Sequence, residues 1–274
     1  MTPADEGAYA ALALKISRGS GLALQAYKDK CIRRRIAVRM RACGVHSYAD
    51  YHALLDRSPV EYERLRDALT INVTRFFRNP ETWTLIRRAL IPRLCDTADG
   101  ALLAWSAGCS SGEEPYTLAI LIADYLDEVR RPEQLDRVTV DATDVDRGSL
   151  ERARTAHYPL ESLAETPGDL LRRHFEAVGA GHRAVAERVR RRVQVRAHDM
   201  TGEPPLRRGY HLILCRNVLI YFDRPIQERL FTTFAESLVP GGFLVLGKVE
   251  TLLGLARERL TLIDPRERVY RRPL

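Results

Sequence analysis

The sequence predicts an α/β chain, a doubly wound, Rossmann-like sheet domain preceded by an all-helical N-terminal subdomain. Three observations carry the expectation. Leu102–Ile120, LLAWSAGCSSGEEPYTLAI, runs from an apolar strand through small residues into a helix that opens near Glu113. Further apolar strand-like runs at 137–143, 193–197 and 210–215 alternate with helical stretches, the mark of βαβ units. Residues 8 to about 71, by contrast, carry helical signals only.

At 274 residues, 45% hydrophobic and 29% charged, the chain can bury one large core or two small ones, and global disorder is excluded. The formal charge of +7 comes mainly from arginine, which points to nucleic acid, to an acidic protein partner, or only to a GC-rich genome. Five scattered cysteines form no C-x-x-C pair, so reduced thiols in a cytoplasmic protein are expected, with no disulfide framework and no metal site. The first ten residues lack a basic stretch followed by an apolar core, so no signal peptide is expected. No apolar run approaches the ~20 residues that span a bilayer, so no membrane insertion is expected.

Taken in order, Leu12, Leu14 and Ile16 fall in a first helix ended at Gly19-Ser20-Gly21, and a second runs from about Leu22 to Ala42. On the second, Leu24, Tyr27, Cys31 and Val38 share the expected core face, while Lys30, Arg34 and Arg41 line one flank and Lys28, Arg35 and Arg39 another. So many like charges repel one another. An acidic partner would relieve that repulsion; a plain solvated helix is the alternative. Ser47 and Ser58-Pro59 open two more helices, to Leu55 and Leu69.

Thr70–Pro80 then breaks the helical pattern. It reads either as a linker pinned by Phe76 and Phe77 or as a lid over a pocket with Arg78 projecting inward, and a helix from Pro80 to Ala89 turns Trp83 and Ile86 to the core. At the glycine-bearing turn, small residues let a ligand lie against the backbone at the end of the first strand. Glu113 and Glu114 follow, where a phosphate-binding loop needs neutral or basic groups. Carboxylates there suit the helix dipole and a cation or ribose hydroxyl, so the ligand inferred is a nucleoside without phosphates that carries positive charge. S-adenosylmethionine, a sulfonium, fits.

Asp144, at the end of the second strand, is the candidate ribose ligand, and Asp146 is the N-cap of a helix over 147–154. Residues 157–192 are broken by Pro and Gly and read as a surface insertion; His198-Asp199-Met200 ends the strand that follows. Tyr210–Cys215 suits the middle of a parallel sheet, and Arg216, Asn217 and Tyr221 just beyond it fall at the ligand crevice. A helix over 225–238, a strand at 243–247 and a closing hairpin at 260–270 complete the chain.

INVTRFFRNPETW (71–83), WSAGCSSGEEPYTLAI (105–120), ATDVD (142–146), CRNVLIYFD (215–223) and PGGFLVLGKVETL (240–252) together resemble the CheR-type chemotaxis receptor methyltransferases, in their order and spacing over nearly the whole chain. The resemblance implies an enzyme that transfers a methyl group from S-adenosylmethionine, leaving S-adenosylhomocysteine, to glutamate side chains on the cytoplasmic helical region of transmembrane chemoreceptors. It implies a helical subdomain over 1–71, a linker or lid over 72–79, and a methyltransferase domain over 80–274 with a small β insertion at about 174–192. Carried over by residue, it puts Asn72, Thr74 and Arg78 over the cofactor, Gly108 beside it and Glu114 near its methionine end. Asp144 would lie on the ribose, Asp199 and Met200 along the adenine, and Arg216, Asn217 and Tyr221 at the methyl-transfer site. Arg78 and Tyr221 are the expected catalytic residues.

Lys30, Arg34, Arg35, Arg39 and Arg41 then become the receptor-binding set. The insertion is a few residues shorter than in members that grip a receptor pentapeptide, so direct docking on the receptor helices by a monomeric enzyme is expected. Nucleic acid is not expected as a partner, because neither an N-P-P-Y-like signature nor an aromatic stacking ladder is present.

Overall fold

The computed structural model describes residues 3–20, 23–70, 73–97, 101–179 and 181–274. The chain divides into two compact units. The first gathers the N-terminal helices together with Tyr221–Ile226, and the second comprises Val73–Ile220 and Gln227–Leu274.

In the first unit, α1 (Pro3–Ser20), α2 (Asp29–Ala42), α3 (Tyr48–Arg57) and α4 (Pro59–Leu69) pack as a helical cluster. Ser47 and Ser58 cap α3 and α4 by accepting from the amides of Asp50 (3.1 Å) and Glu61 (3.2 Å). The second helix differs from expectation. It starts at Asp29, after a 3-10 turn at Leu24–Ala26, and its buried stripe is Ile32, Ile36 and Met40, while Val38 is 47% exposed. The i, i+4, i+8 spacing explains the stripe, and burying each side chain contributes about 2 kcal/mol. Tyr27 lies outside the helix because it bridges Phe222, their rings 4.9 Å apart.

The second unit opens with α5 (Pro80–Leu85), which passes through one π turn at Ile86–Leu90 into α6 (Ile91–Thr97), so the helical stretch outruns the expected end at Ala89. Then come β1 (Leu102–Ala107), α7 (Glu113–Glu128), β2 (Val138–Asp144) and α8 (Arg147–Thr155). A small antiparallel sheet follows, built from β3 (His157–Pro159), β4 (Phe175–Ala177) and β5 (His182–Val185) in the order β3-β5-β4, with α9 (Gly168–His174) inside it. It therefore begins upstream of the expected 174–192. The chain closes through α10 (Glu187–Arg190), β6 (Val193–Ala197), β7 (Tyr210–Cys215), α11 (Arg224–Ser237), β8 (Leu238–Leu246), α12 (Ala256–Arg259), β9 (Thr261–Asp264) and β10 (Val269–Arg271).

The large sheet runs β6-β2-β1-β7-β8-β10-β9. Its first five strands are parallel, and β10 and β9 close the edge as an antiparallel hairpin. Strands β1 and β7 are buried along nearly their whole length because helices cover both faces of a parallel sheet. From β1 the order proceeds through β2 to β6 on one side and through β7 to β8 on the other, so the carboxyl ends of β1 and β7 frame the switch-point crevice.

Candidate functional site

Four loops converge at the carboxyl ends of these strands. After β1, Gly108 (φ +79°) and Cys109 donate their amides to Thr143 O at 2.8 and 2.9 Å, which ties the turn to the end of β2. Gly112 opens α7 at φ +98°, where an added Cβ would stand 2.9 Å from that of Ala153, so the close approach of α8 requires glycine.

Glu114 projects from the first turn of α7 and is largely buried. Ser106 Oγ donates to its Oε1 (2.9 Å) and Arg216 Nη1 to its Oε2 (3.2 Å). Arg216, just past β7 and 7% exposed, also donates Nη2 to the carbonyl of Arg78 (2.9 Å) and to Asn79 Oδ1 (3.1 Å), with its guanidinium 5.2 Å from the centre of the Trp83 ring. Burial pushes the Glu114 carboxyl up from its ordinary value, and Arg216 offsets only part of the shift.

Asp144 ends β2. Its Oδ2 accepts from the Ser110 amide (2.8 Å) and its Oδ1 from the Asp146 amide (2.9 Å), while its carbonyl takes the His198 amide (3.0 Å). Burial raises this carboxyl too, against the pull of those two amides. Asp146 caps α8 as expected, accepting from Gly148 N at 3.0 Å. His198 Nε2 lies 2.9 Å from Pro204 O, a carbonyl that can only accept, so Nε2 carries the proton.

The segment after residue 72 is anchored to this unit by both phenylalanines. Phe76 meets the rings of Tyr158 (4.8 Å) and Phe175 (5.1 Å) edge-on, and the amide of Phe77 donates to Thr117 Oγ1 (3.3 Å). Arg78 does not project freely inward. Its Nη1 donates to Val73 O (2.8 Å), and its carbonyl receives Arg216 and the Trp83 indole N–H (3.0 Å). Thr74 is half-buried beside it, and Asn72 lies outside the described residues. Asp199 holds its own turn, its Oδ1 accepting from Thr201 N (2.8 Å) and Oγ1 (2.6 Å), with Met200 half-buried next to it. Asn217 stands at φ +63° just past β7.

Tyr221 belongs to the first unit, where its carbonyl accepts from Lys28 N (2.8 Å) and its ring centre lies 5.0 Å from the guanidinium carbon of Arg35. Arg35 also donates to Leu69 O. Arg39 forms a two-pronged pair with the buried Glu61 (3.0 and 2.6 Å), which further accepts from Tyr51 (2.7 Å). Arg35 and Arg39 thus serve the fold of the first unit, because Glu61 and Leu69 of α4 supply the acceptors they need. Lys30, Arg34 and Arg41 stay exposed.

Three residues of the crevice escaped the sequence argument: Ser106, Asn79 and Glu250. Glu250 lies inside the motif at 240–252, three residues beyond Gly247, and is 4% exposed.

The carboxylates suit hydroxyl and cationic donors rather than phosphate. Residues 72–267 match the family described as CheR methyltransferase, SAM binding domain, and residues 7–70 match the CheR methyltransferase all-alpha domain. The chain belongs to the CheR methyltransferase family. It is 32% identical over 264 residues to a chemotaxis protein methyltransferase of Listeria innocua, covering 96% of this chain and 97% of that one. A chemotaxis protein methyltransferase of Klebsiella aerogenes is 31% identical (93% and 87% covered), and chemotaxis protein methyltransferase 2 of Pseudomonas aeruginosa is 34% identical (87% and 84% covered). The cofactor of this CheR methyltransferase is S-adenosylmethionine, and its acidic, phosphate-averse crevice fits a sulfonium nucleoside. Among the described residues no helix is long and apolar enough to cross a membrane, and no cluster of three or more metal-ligating side chains is present.

Proposed function

We propose that this CheR methyltransferase esterifies glutamate side chains on the cytoplasmic helical region of chemoreceptors, acting in the cytoplasm as a monomer. The observation that carries the reading is the crevice itself, where Glu114, Asp144, Arg216 and Asn217 stand at adjoining strand ends and the one cation among them, Arg216, is already committed to Glu114, Arg78 O and Asn79 Oδ1. S-adenosylmethionine supplies an activated methyl group on a cationic sulfur. Glu114 and Asp144 would hold it, with Asn72, Thr74, Gly108, Asp199, Met200, Arg216 and Asn217 lining the rest.

A glutamate carboxylate with a pKa near ~4.3 is already ionised at neutral pH, so no general base is required. That agrees with a crevice whose histidine is committed to Pro204 O. The protein's task is to strip water from the carboxylate and align it. Arg78 would orient the incoming carboxylate on leaving its bond to Val73 O, and the Tyr221 hydroxyl would complete the alignment. Charge is partly cancelled in the transition state, so a weakly held arginine serves better than a tight clamp on the ground state. Docking is assigned to the exposed cations Lys30, Arg34 and Arg41, without a pentapeptide tether.

Radiolabelled methyl transfer to receptor fragments tests the reading. Label released as methanol by mild base is the expected result. Label that resists base, or none on well-folded enzyme, rules out glutamate esterification.

A further inference from the structure

The Glu250 carboxylate is enclosed by backbone. Its Oε1 accepts the amides of Val218 (2.9 Å) and Ile220 (3.3 Å), and its Oε2 those of Asn217 (2.9 Å) and Gly247 (2.6 Å). Four donors converging on one side chain demand a group that only accepts, which an ionised carboxylate does and an amide or a protonated acid does not. The amides come from the loops after β7 and β8, so one side chain joins the ends of two neighbouring strands. Gly247 is part of the arrangement, since a Cβ there would lie 2.7 Å from Glu250 Oε2 and 2.8 Å from Asn217 N. Asn217 is the residue that profits. Its left-handed backbone has to be held by its surroundings, and the Glu250 bond to its own amide does so, while Gln227 Nε2 holds the same loop further along through Leu219 O (2.8 Å).

We infer that Glu250 is a positioning residue for the cofactor, acting through the backbone of 217–220 to present Asn217 to the crevice. The inference rests on the proposed role of Asn217 in lining that crevice. Outer groups that orient a liganding side chain are worth about 10-fold or more in affinity, and a loss of that size is expected here.

The test is calorimetric titration of S-adenosylhomocysteine into the full chain and into E250A, G247A and N217A, at a temperature where circular dichroism shows each to be folded. E250A and N217A should each bind about 10-fold more weakly. Acetate, returning a carboxylate to the vacated cradle, should restore E250A and leave N217A unchanged, a rescue that a general loss of stability would not show selectively. G247A disturbs the cradle with Glu250 intact and should weaken binding as well, and it carries the test if E250A does not fold. Weak binding by N217A with parental affinity in E250A or G247A overturns the inference alone. Parental affinity in N217A overturns both the inference and the assignment of Asn217.

Discussion

Arg216 and Glu114 face one another at 3.2 Å with side chains only 3% and 14% exposed. An ion pair this deep costs much of its attraction in lost hydration, and its consequence shows when one partner is removed. Glu114→Ala leaves a buried guanidinium without its anion and should destabilise the chain by about 3 kcal/mol, the low end because Arg78 O and Asn79 Oδ1 still accept from it. Glu114→Gln keeps an acceptor and should cost about 1 kcal/mol. Urea unfolding of the two variants checks the order; equal losses would mean the charge is immaterial to the fold.

Burial raises the carboxyls of Glu114 and Asp144, and the sign of the effect can be worked through. Above the raised value both are ionised and the fold bears the cost of the buried charge; as pH falls through that value the cost fades, because the folded state takes up protons first. The same protonation removes the anions proposed to hold a cationic donor. Affinity for S-adenosylmethionine should therefore decline on acidification from a pH above the ordinary carboxyl values of 4.5 and 3.8, while the contribution of these two groups to ligand-free stability moves the opposite way. Asp144→Asn should flatten part of the slope. Titrations across the acid range decide the matter, and a slope identical in parent and variant would remove Asp144 from the account.

Legibility from sequence follows from how local each signal is. The β1 turn and α7 could be read because a continuous apolar run, a cluster of small residues and two carboxylates follow in sequence within one stretch. The buried stripe of α2 is not legible locally because the helix start depends on Tyr27 pairing with Phe222, far away in the chain. Arg39 looked free because its acceptor, Glu61, sits on another helix. The strands of the small sheet are three or four residues long, too short for alternation to register, and β3 opens the punctuated stretch at 157–192, upstream of the 174–192 that the resemblance implied. Glu250 carries no local mark of its role, since three of its four amide partners lie in the loop after β7.

The basic face of α2 divides into structural and exposed members, and substitution should separate them. Burial tends to raise the Glu61 carboxyl, but bonds from Arg39 and Tyr51 outweigh it and the net shift is downward. The stability from this pair is therefore present above the ordinary value of 4.5 and lost as pH falls through the depressed one. Arg39→Ala should cost about 3 kcal/mol at neutral pH by leaving Glu61 buried and unpaired. Receptor association through Lys30, Arg34 and Arg41 should weaken steeply with salt, and changing the three together to Ala should leave the melting temperature nearly unaltered and flatten that dependence. Salt-insensitive binding by the parent would place docking elsewhere.

Tyr221 is the sharpest test of the proposed chemistry, because its ring and its hydroxyl can be separated. The ring packs 5.0 Å from the Arg35 guanidinium, and the backbone carbonyl is tied to Lys28 N, so Tyr221→Phe keeps both of those contacts, and circular dichroism and thermal melting check its fold before rates are compared. If the hydroxyl aligns the receptor carboxylate only as the methyl group moves, its loss lowers kcat and kcat/KM together and leaves KM nearly unchanged. A fall of about 100-fold in kcat is the size expected for one well-placed hydrogen bond to a charged reacting group, some 2–3 kcal/mol. Steady-state rates with receptor fragments give the split directly. A raised KM at parental kcat would instead make Tyr221 a contact for receptor binding, and the alignment step would then have to be assigned to Arg78 alone.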